Sequence, residues 1–314
     1  DTFALRASAS TGFRAPSLAQ HFYSSTSSLF FGPGNSLGLP AGIYNSGLVP
    51  VNSQVARLLG SEPLKPEKSH NYTIGAVWNP TDALSLSIDA YQIAISDRIV
   101  LSSSIATTGP AVQAYLAANG VANLNYSGVS YFTNAADTRT RGIDFVASYR
   151  SDFGNAGTLQ TTISTNYNKN EVTKVRPNPA VLDALGATFH RLDRRDIKGL
   201  LADTTPRSKL ILSEQYNVGN WGVTGSVTRY GRYTAYNATN SLLDQTFTPK
   251  WIFDLAVNYS LQQWTFTVGA DDALDVYPDR VIPGSNNNGT LPYSVYAPFG
   301  YNGAYVYGKV AYRW

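Results

Sequence analysis

Apolar and polar residues alternate with a period of two over ten segments of this chain, near residues 2–12, 69–79, 83–96, 139–150, 158–169, 207–218, 221–232, 250–260, 264–274 and 303–314. That period puts successive side chains on opposite faces of an extended backbone, so each segment predicts a β-strand with one apolar and one polar face. The last is the clearest. Ala304, Val306, Gly308, Val310, Tyr312 and Trp314 fall on one side, and Tyr305, Tyr307, Lys309, Ala311 and Arg313 on the other. Helical patterns occur only between the strands: Asn52 to Gly60 has Ser53 as an N-cap and Gly60 as a stop, and Pro110 to Gly120 is similar.

The lengths of the separators carry the next step. Connections near 79–82, 151–157, 219–220 and 261–263 are short, those near 13–68, 97–138, 170–206, 233–249 and 275–302 are long, and the two kinds alternate throughout. Brief turns on one side and extended loops on the other predict an all-β, antiparallel up-and-down transmembrane β-barrel. Counting parity puts the start of the first strand and Trp314 on the short-turn, periplasmic side. Charges support this reading, because Arg or Lys facing lipid at the bilayer midplane costs about 2–4 kcal/mol. Arg6, Asp89, Asp144, Asp254, Lys309 and Arg313 all lie opposite the apolar set of their strand.

Two places resist the pattern. Between Leu84, Leu86, Ile88 and Tyr91, Ile93, Ile95 the apolar face changes sides, which requires a β-bulge or an early end to the membrane span. Glu214 shares a face with Leu210, Leu212 and Tyr216, which places it near an interface. Trp78, Tyr149, Trp221, Trp264 and Trp314 all stand beside the short turns or the terminus and predict a membrane-interface aromatic girdle.

Composition narrows the class. The 314 residues are 43% hydrophobic and 12% aromatic, and mean hydropathy is -0.18. No run approaches the length of an apolar membrane helix, so strands must do any spanning. Only 14% of residues are charged, below the roughly 25% of soluble domains. A net charge of +3 gives no reason to expect a nucleic-acid partner, and without Cys there is neither a disulfide framework nor thiolate chemistry. No export signal precedes the first strand and the chain opens inside or just before it, so the sequence reads as the C-terminal part of a longer protein.

Several segments resemble the TonB-dependent receptors of Gram-negative outer membranes. They are Thr11-Gly12-Phe13-Arg14-Ala15-Pro16-Ser17-Leu18, Leu64-Lys65-Pro66-Glu67-Lys68-Ser69 with Tyr72-Thr73-Ile74-Gly75, and Asp89-Ala90-Tyr91 with Ile95-Ser96-Asp97-Arg98-Ile99. Asn134-Ala135 with Thr140-Arg141-Gly142-Ile143-Asp144 follows, then Ala273-Leu274-Asp275-Val276-Tyr277-Pro278. The resemblance implies the C-terminal portion of a barrel of about 22 strands with a plugged lumen, the plug and TonB-contacting box lying outside this sequence. It also implies TonB-driven uptake across the cell outer membrane, most often of a ferric siderophore. Partners would be the TonB complex, outer-membrane lipid and lipopolysaccharide. The barrel-assembly machinery would read Val310, Tyr312 and Trp314 as a terminal signal.

Ligand selection would fall to the external loops, where two groups stand out. His21, Phe22, Tyr23, Phe30 and Phe31 form an aromatic group suited to a planar or catecholate ligand, or to packing on one another. His190, Arg191, Asp193, Arg194, Arg195, Asp196 and Lys198 form a mostly cationic patch suited to an anionic ferric chelate, to lipopolysaccharide phosphates, or to pairing with its own aspartates. Three histidines without metal-ligand spacing predict no protein-bound metal or cofactor. Two other classes stay open: a self-contained ten-stranded barrel enzyme using His190 with Asp193 or Asp196, and a passive porin or adhesin barrel. The family motifs favour a transporter over an enzyme.

Overall fold

The computed structural model describes residues 2–31, 40–122, 124–186, 188–238, 240–286 and 289–314. Its main sheet has ten strands: Phe3–Arg14 (β1), Glu67–Thr81 (β2), Leu84–Leu101 (β3), Phe132–Asp152 (β4), Thr158–Val175 (β5), Ser208–Val218 (β6), Trp221–Tyr230 (β7), Lys250–Leu261 (β8), Trp264–Asp271 (β9) and Tyr305–Tyr312 (β10). Each is antiparallel to the next in the sequence, and β1 and β10 stand at the two ends of the sheet. The tight connections use left-handed backbone at Gly219 (φ 56°) and Gln262 (φ 53°), the conformation that two-residue hairpins demand.

The register fixes the faces. Across the sheet Leu5, Ala76, Ile88, Phe145, Thr165 and Leu210 are successive partners, and Val223, Val257, Val268 and Gly308 continue the same side. This side is apolar yet uncovered: Leu5, Ile74, Ile143, Val268 and Val306 are all exposed. An apolar face spread over ten strands has no counterpart in a water-soluble monomer, and lipid is the solvent that suits it. The other face carries Arg6, Asp89, Asp144, Asn166, Lys209, Asp254 and Lys309. Arg6 reaches Asp89 across the intervening strand because Gly75 lies between them, and a Cβ there would collide with the carboxylate.

Several strands outlast their hydrophobic pattern. β3, β4 and β5 run to Leu101, back to Phe132 and on to Val175, five to seven residues past the alternation, because ladder hydrogen bonds continue where the outward face no longer has to be apolar. The change of face in β3 is not a bulge. Pairing with β4 is unbroken from Leu84 to Ile95 and shifts only between Ile95 and Ile99, where Asp97 adopts φ 55°. The outward apolar face instead ends at Ala90, with Gln92 next, and Tyr91, Ile93 and Ile95 turn to the polar side. Glu214 faces outward and accepts the Thr161 hydroxyl at 2.7 Å.

The buried core lies above the sheet, in the loops. Short strands 25–31, 42–48, 128–130 and 105–106 join in that order into a second sheet, which unites the first two long loops. Helices Leu18–Phe22 (α1), Gln54–Leu58 (α2), Pro110–Ala118 (α3) and Ala180–Leu185 (α4) flank it. Ser53 caps α2 by accepting the Ala56 N–H, and Gly60 and Gly120 take positive φ after α2 and α3, as their sequences predict. Leu59, Ile105, Val112, Leu116, Val129, Tyr131 and Leu182 are nearly or fully buried together, so three loops share one cap core.

Candidate functional site

The first four segments that resemble family motifs converge on the rim between sheet and cap. Arg14 clasps Glu67 through two hydrogen bonds of 2.7 and 2.8 Å, and Glu67 also accepts the Ile99 N–H at 2.7 Å. Burial pushes the Glu67 carboxyl up, but these donors outweigh it and hold the group below its ordinary range. Asn134 accepts the Lys65 N–H and donates to the carbonyls of Lys65 and Asp97. Arg176 pairs with Asp97, and Arg98 donates to Thr138 at 3.1 Å. The first four motifs therefore each supply one part of a polar ring that ties the loops to β1 through β5, whereas Asp275 of the last accepts the Ala304 N–H at 3.0 Å.

Beside the cap, a cavity of about 310 Å³ opens between the connections after β7 and β9, lined by Arg195, Tyr236, Phe247, Tyr293 and Tyr296 among others. Its walls are stiffened by ring stacking: Tyr233 lies 4.7 Å from Phe247 with planes 8° apart, and Tyr277, Tyr293 and Tyr301 stack in series at 5.9 and 5.8 Å. A cation beside aromatic walls suits an anionic ligand with planar groups. The aromatics that line it were not singled out in the sequence, although the density of Tyr from 277 to 307 is a visible signal.

The cationic patch from 190 to 198 is divided among several roles. Arg191 is buried, donates to the Pro177 carbonyl at 2.7 Å, and has its pKa drawn down by burial. Arg194 binds Asp244 at 2.7 Å and sits 5.1 Å over the Tyr236 ring. Asp196 is buried against the Ser103 hydroxyl, and desolvation raises its pKa. Arg195, 3.7 Å from Asp196, remains partly exposed at the cavity, while His190 and Lys198 are exposed. Asp193 N–H is held by Ser103 at 2.7 Å. The Asp193 carboxylate in turn accepts the Asp196 N–H at 3.1 Å.

The aromatic group from 21 to 31 sits elsewhere, on α1 and the strand 25–31. Phe22, Tyr23 and Phe30 are exposed, and the His21 ring lies 5.7 Å from Phe22. The side chain of Phe31 lies outside the described residues. On the sheet, Trp78, Tyr149, Trp221, Trp264 and Trp314 are exposed, with Trp221 4.7 Å from Tyr259 and Trp264 4.8 Å from Tyr312. Val310 and Tyr312 lie on the apolar face opposite Phe266 and Trp264. Among the described residues no group of three His, Cys, Asp or Glu side chains gathers to hold a metal ion.

The Arg194–Asp244 pair predicts a pH response. Arg194 and the Asn237 N–H hold the Asp244 carboxyl below its ordinary range, so its stabilising contribution is complete above that ordinary range and is lost as pH falls through the depressed value. The protection of the Asn237 amide against hydrogen exchange, relative to an unprotected amide at the same pH, is expected to fall on acidification, and Asp244→Asn to abolish that change in protection. An unchanged profile in the variant would count against the pairing.

An antiparallel meander with one lipid-suited face, one polar face and elaborate loops on one side defines an outer-membrane type of β-barrel architecture. The family model "TonB dependent receptor-like, beta-barrel" matches residues 1–273, and the chain belongs to this family. Solved structures agree on the fold. The siderophore receptor PirA from Acinetobacter baumannii is similar at TM-score 0.59 and 16% identity, over 99% of this chain and 39% of its own. A variant of the ferric enterobactin receptor PfeA from Pseudomonas aeruginosa, in complex with enterobactin, gives 0.57 and 16%, over 99% and 38%. The copper transporter OprC gives 0.56 and 16%, over 99% and 37%. The chain thus spans less than two fifths of the length of these neighbours. No curated protein matches it in sequence.

Proposed function

We propose that this chain forms part of a TonB-driven transporter of the outer membrane that takes up a ferric siderophore or similar anionic iron chelate. The observation that carries the proposal is the cavity on the loop side of the sheet, where Arg195 meets the rings of Tyr236, Phe247, Tyr293 and Tyr296. A chelate brings its own iron, so the binding site needs charge and planar surface rather than metal ligands. The siderophore-receptor names of two structural neighbours support the same class. His21, Phe22, Tyr23, Phe30, His190 and Lys198 would make first encounters from the exposed loop surface, with TonB supplying the energy for passage.

In the full-length receptor, Arg195→Glu is expected to weaken binding of an anionic ferric chelate by about tenfold or more, equivalent to about 1.4 kcal/mol. Tyr293→Ala should act in the same direction. Uptake of radiolabelled iron by a receptor-deficient strain carrying each variant measures this. Uptake equal to the parent with a panel of chelates would overturn the siderophore reading.

A further inference from the structure

The sheet in the cap ends on an unguarded strand. Residues 25–31 pair with 42–48 along one side, and among the described residues no strand pairs with the other side. Which groups stand at that open side follows from the next strand but one. Asn45 accepts the Ser127 N–H at 2.7 Å and Val49 donates to the Ser130 carbonyl at 3.0 Å, so residues 45, 47 and 49 direct their backbone groups toward strand 128–130. A strand residue turns its N–H and C=O to one side, and in an antiparallel ladder bonded pairs alternate with unbonded ones. Asn45 and Gly47 therefore face Ser28 and Thr26 without bonding them, and Ile43 faces Phe30 in the same way. Thr26, Ser28 and Phe30 each present an N–H and a C=O to the open edge.

Such an edge is a template for another strand, and proteins that leave one free guard it with charge, Pro or a bulge. Ser25-Thr26-Ser27-Ser28-Leu29-Phe30-Phe31 carries no charge and no Pro, and its register with 42–48 is unbroken. Leu29, Phe30 and Ile43 are exposed besides. The direction of the edge selects what covers it. Strands 25–31 and 42–48 belong to the connection from β1 to β2, whereas 128–130 and 105–106 belong to that from β3 to β4. The cap sheet thus runs in the same sense as the main sheet, and its open edge lies on the β1 side. β1 is likewise an open end of the main sheet, and a barrel wall continues there because a closed wall has no edges. The chain spans 39% of PirA and 37% of OprC, which leaves room in a receptor of that size for strands adjoining β1. A second copy cannot take that place, since the sector beside β1 belongs to the wall itself.

We propose that an extended segment of the same receptor adds to this four-stranded cap sheet along Thr26, Ser28 and Phe30. The segment comes from the external loop that leads down into the wall strand pairing with β1. Its backbone takes up the open N–H and C=O groups, and its apolar side chains cover Leu29 and Phe30 on the two faces. Main-chain bonding of this kind asks for an extended conformation, and the alternate side chains supply the selectivity. The consequence is mechanical. The cap, already joined across three loops around Tyr131, is fastened to the loops of the adjoining sector as well.

Residue-resolved hydrogen exchange of the full-length receptor in detergent tests this at the amides of the strand. A free edge leaves protection with a period of two, Ser27 and Leu29 slow and Thr26, Ser28 and Phe30 as fast as open amides. An occupied edge slows all five, and Thr26, Ser28 and Phe30 are expected to exchange at least about a hundredfold more slowly than unprotected amides. Ser28→Pro removes one outward N–H and spares the bonds to 42–48, so it should speed exchange in the external loop ahead of β1 by about tenfold or more. Alternating protection in the parent overturns the proposal, as does protection that vanishes on dilution, which would assign the edge to a second copy. Should Ser28→Pro fail to assemble, a photo-crosslinking benzoylphenylalanine in place of Phe30 decides the matter. Crosslinks to the loop ahead of β1 are the expected result, and crosslinks only to other regions or other chains overturn it. Because neither ligand nor uptake is measured, failure here is distinct from failure of the siderophore reading.

Discussion

Val257→Arg is expected to lower the stability of the receptor in a bilayer by about 2–4 kcal/mol, whereas Ala256→Arg, its neighbour in the chain, should cost far less. Val257 lies between Val223 and Val268 on the apolar face, so the new guanidinium would face hydrocarbon. Ala256 lies between Thr224 and Gly269 on the face of Asp254 and Lys309, where water and polar groups can solvate the charge. Reversible unfolding in denaturant from large vesicles, with the full-length protein, gives both values by linear extrapolation. Similar penalties at the two positions would show that the faces have been assigned wrongly.

The second large effect concerns the cap. Tyr131 is completely buried, donates its hydroxyl to the Leu59 carbonyl at 2.8 Å, and donates its backbone N–H to Ser102 Oγ at 3.0 Å. Truncating an aromatic ring at such a position costs about 3–5 kcal/mol through lost burial and the cavity left behind. Tyr131→Ala should therefore raise the opening equilibrium of the cap by about a hundredfold or more. Tyr131→Phe, which keeps the volume and loses one hydrogen bond, should cost about 1 kcal/mol. Hydrogen exchange at Leu59 and Ser61, whose N–H groups bond to Val55 and Ala56, reports the cap, and amides of β7 and β8 report the sheet. Faster exchange confined to the former is the expected result. Uniform acceleration through β7 and β8 would mean that cap and sheet unfold as one unit.

Much of the sheet was legible in residues such as Leu84, Leu86 and Ile88, because a strand between lipid and a polar interior must write its two faces into a period of two. The helix ends at Ser53, Gly60, Pro110 and Gly120 were legible for a local reason also, since capping and positive φ depend on a few adjacent residues. The extension of β4 back to Phe132 was not legible, because past the membrane edge neither face imposes an apolar choice. The candidate site was less accessible still. Arg191, Arg194 and Arg195 are nearly consecutive and chemically alike, yet one is buried against Pro177, one is held by Asp244, and one faces the cavity.

By itself the sequence determined the membrane-suited meander, the order of its ten strands and which face is polar, because each of those follows from local alternation and connection length. It also marked the family through short runs around Arg14, Glu67, Asp97 and Asn134. Only the tertiary structure decided that these runs meet in one polar ring, that three distant loops share the core around Tyr131, and that Arg195 rather than its neighbours lines an aromatic cavity. Those outcomes depend on which residues far apart in the chain compete for the same hydrogen-bond partners and the same buried volume, and no local pattern encodes that competition.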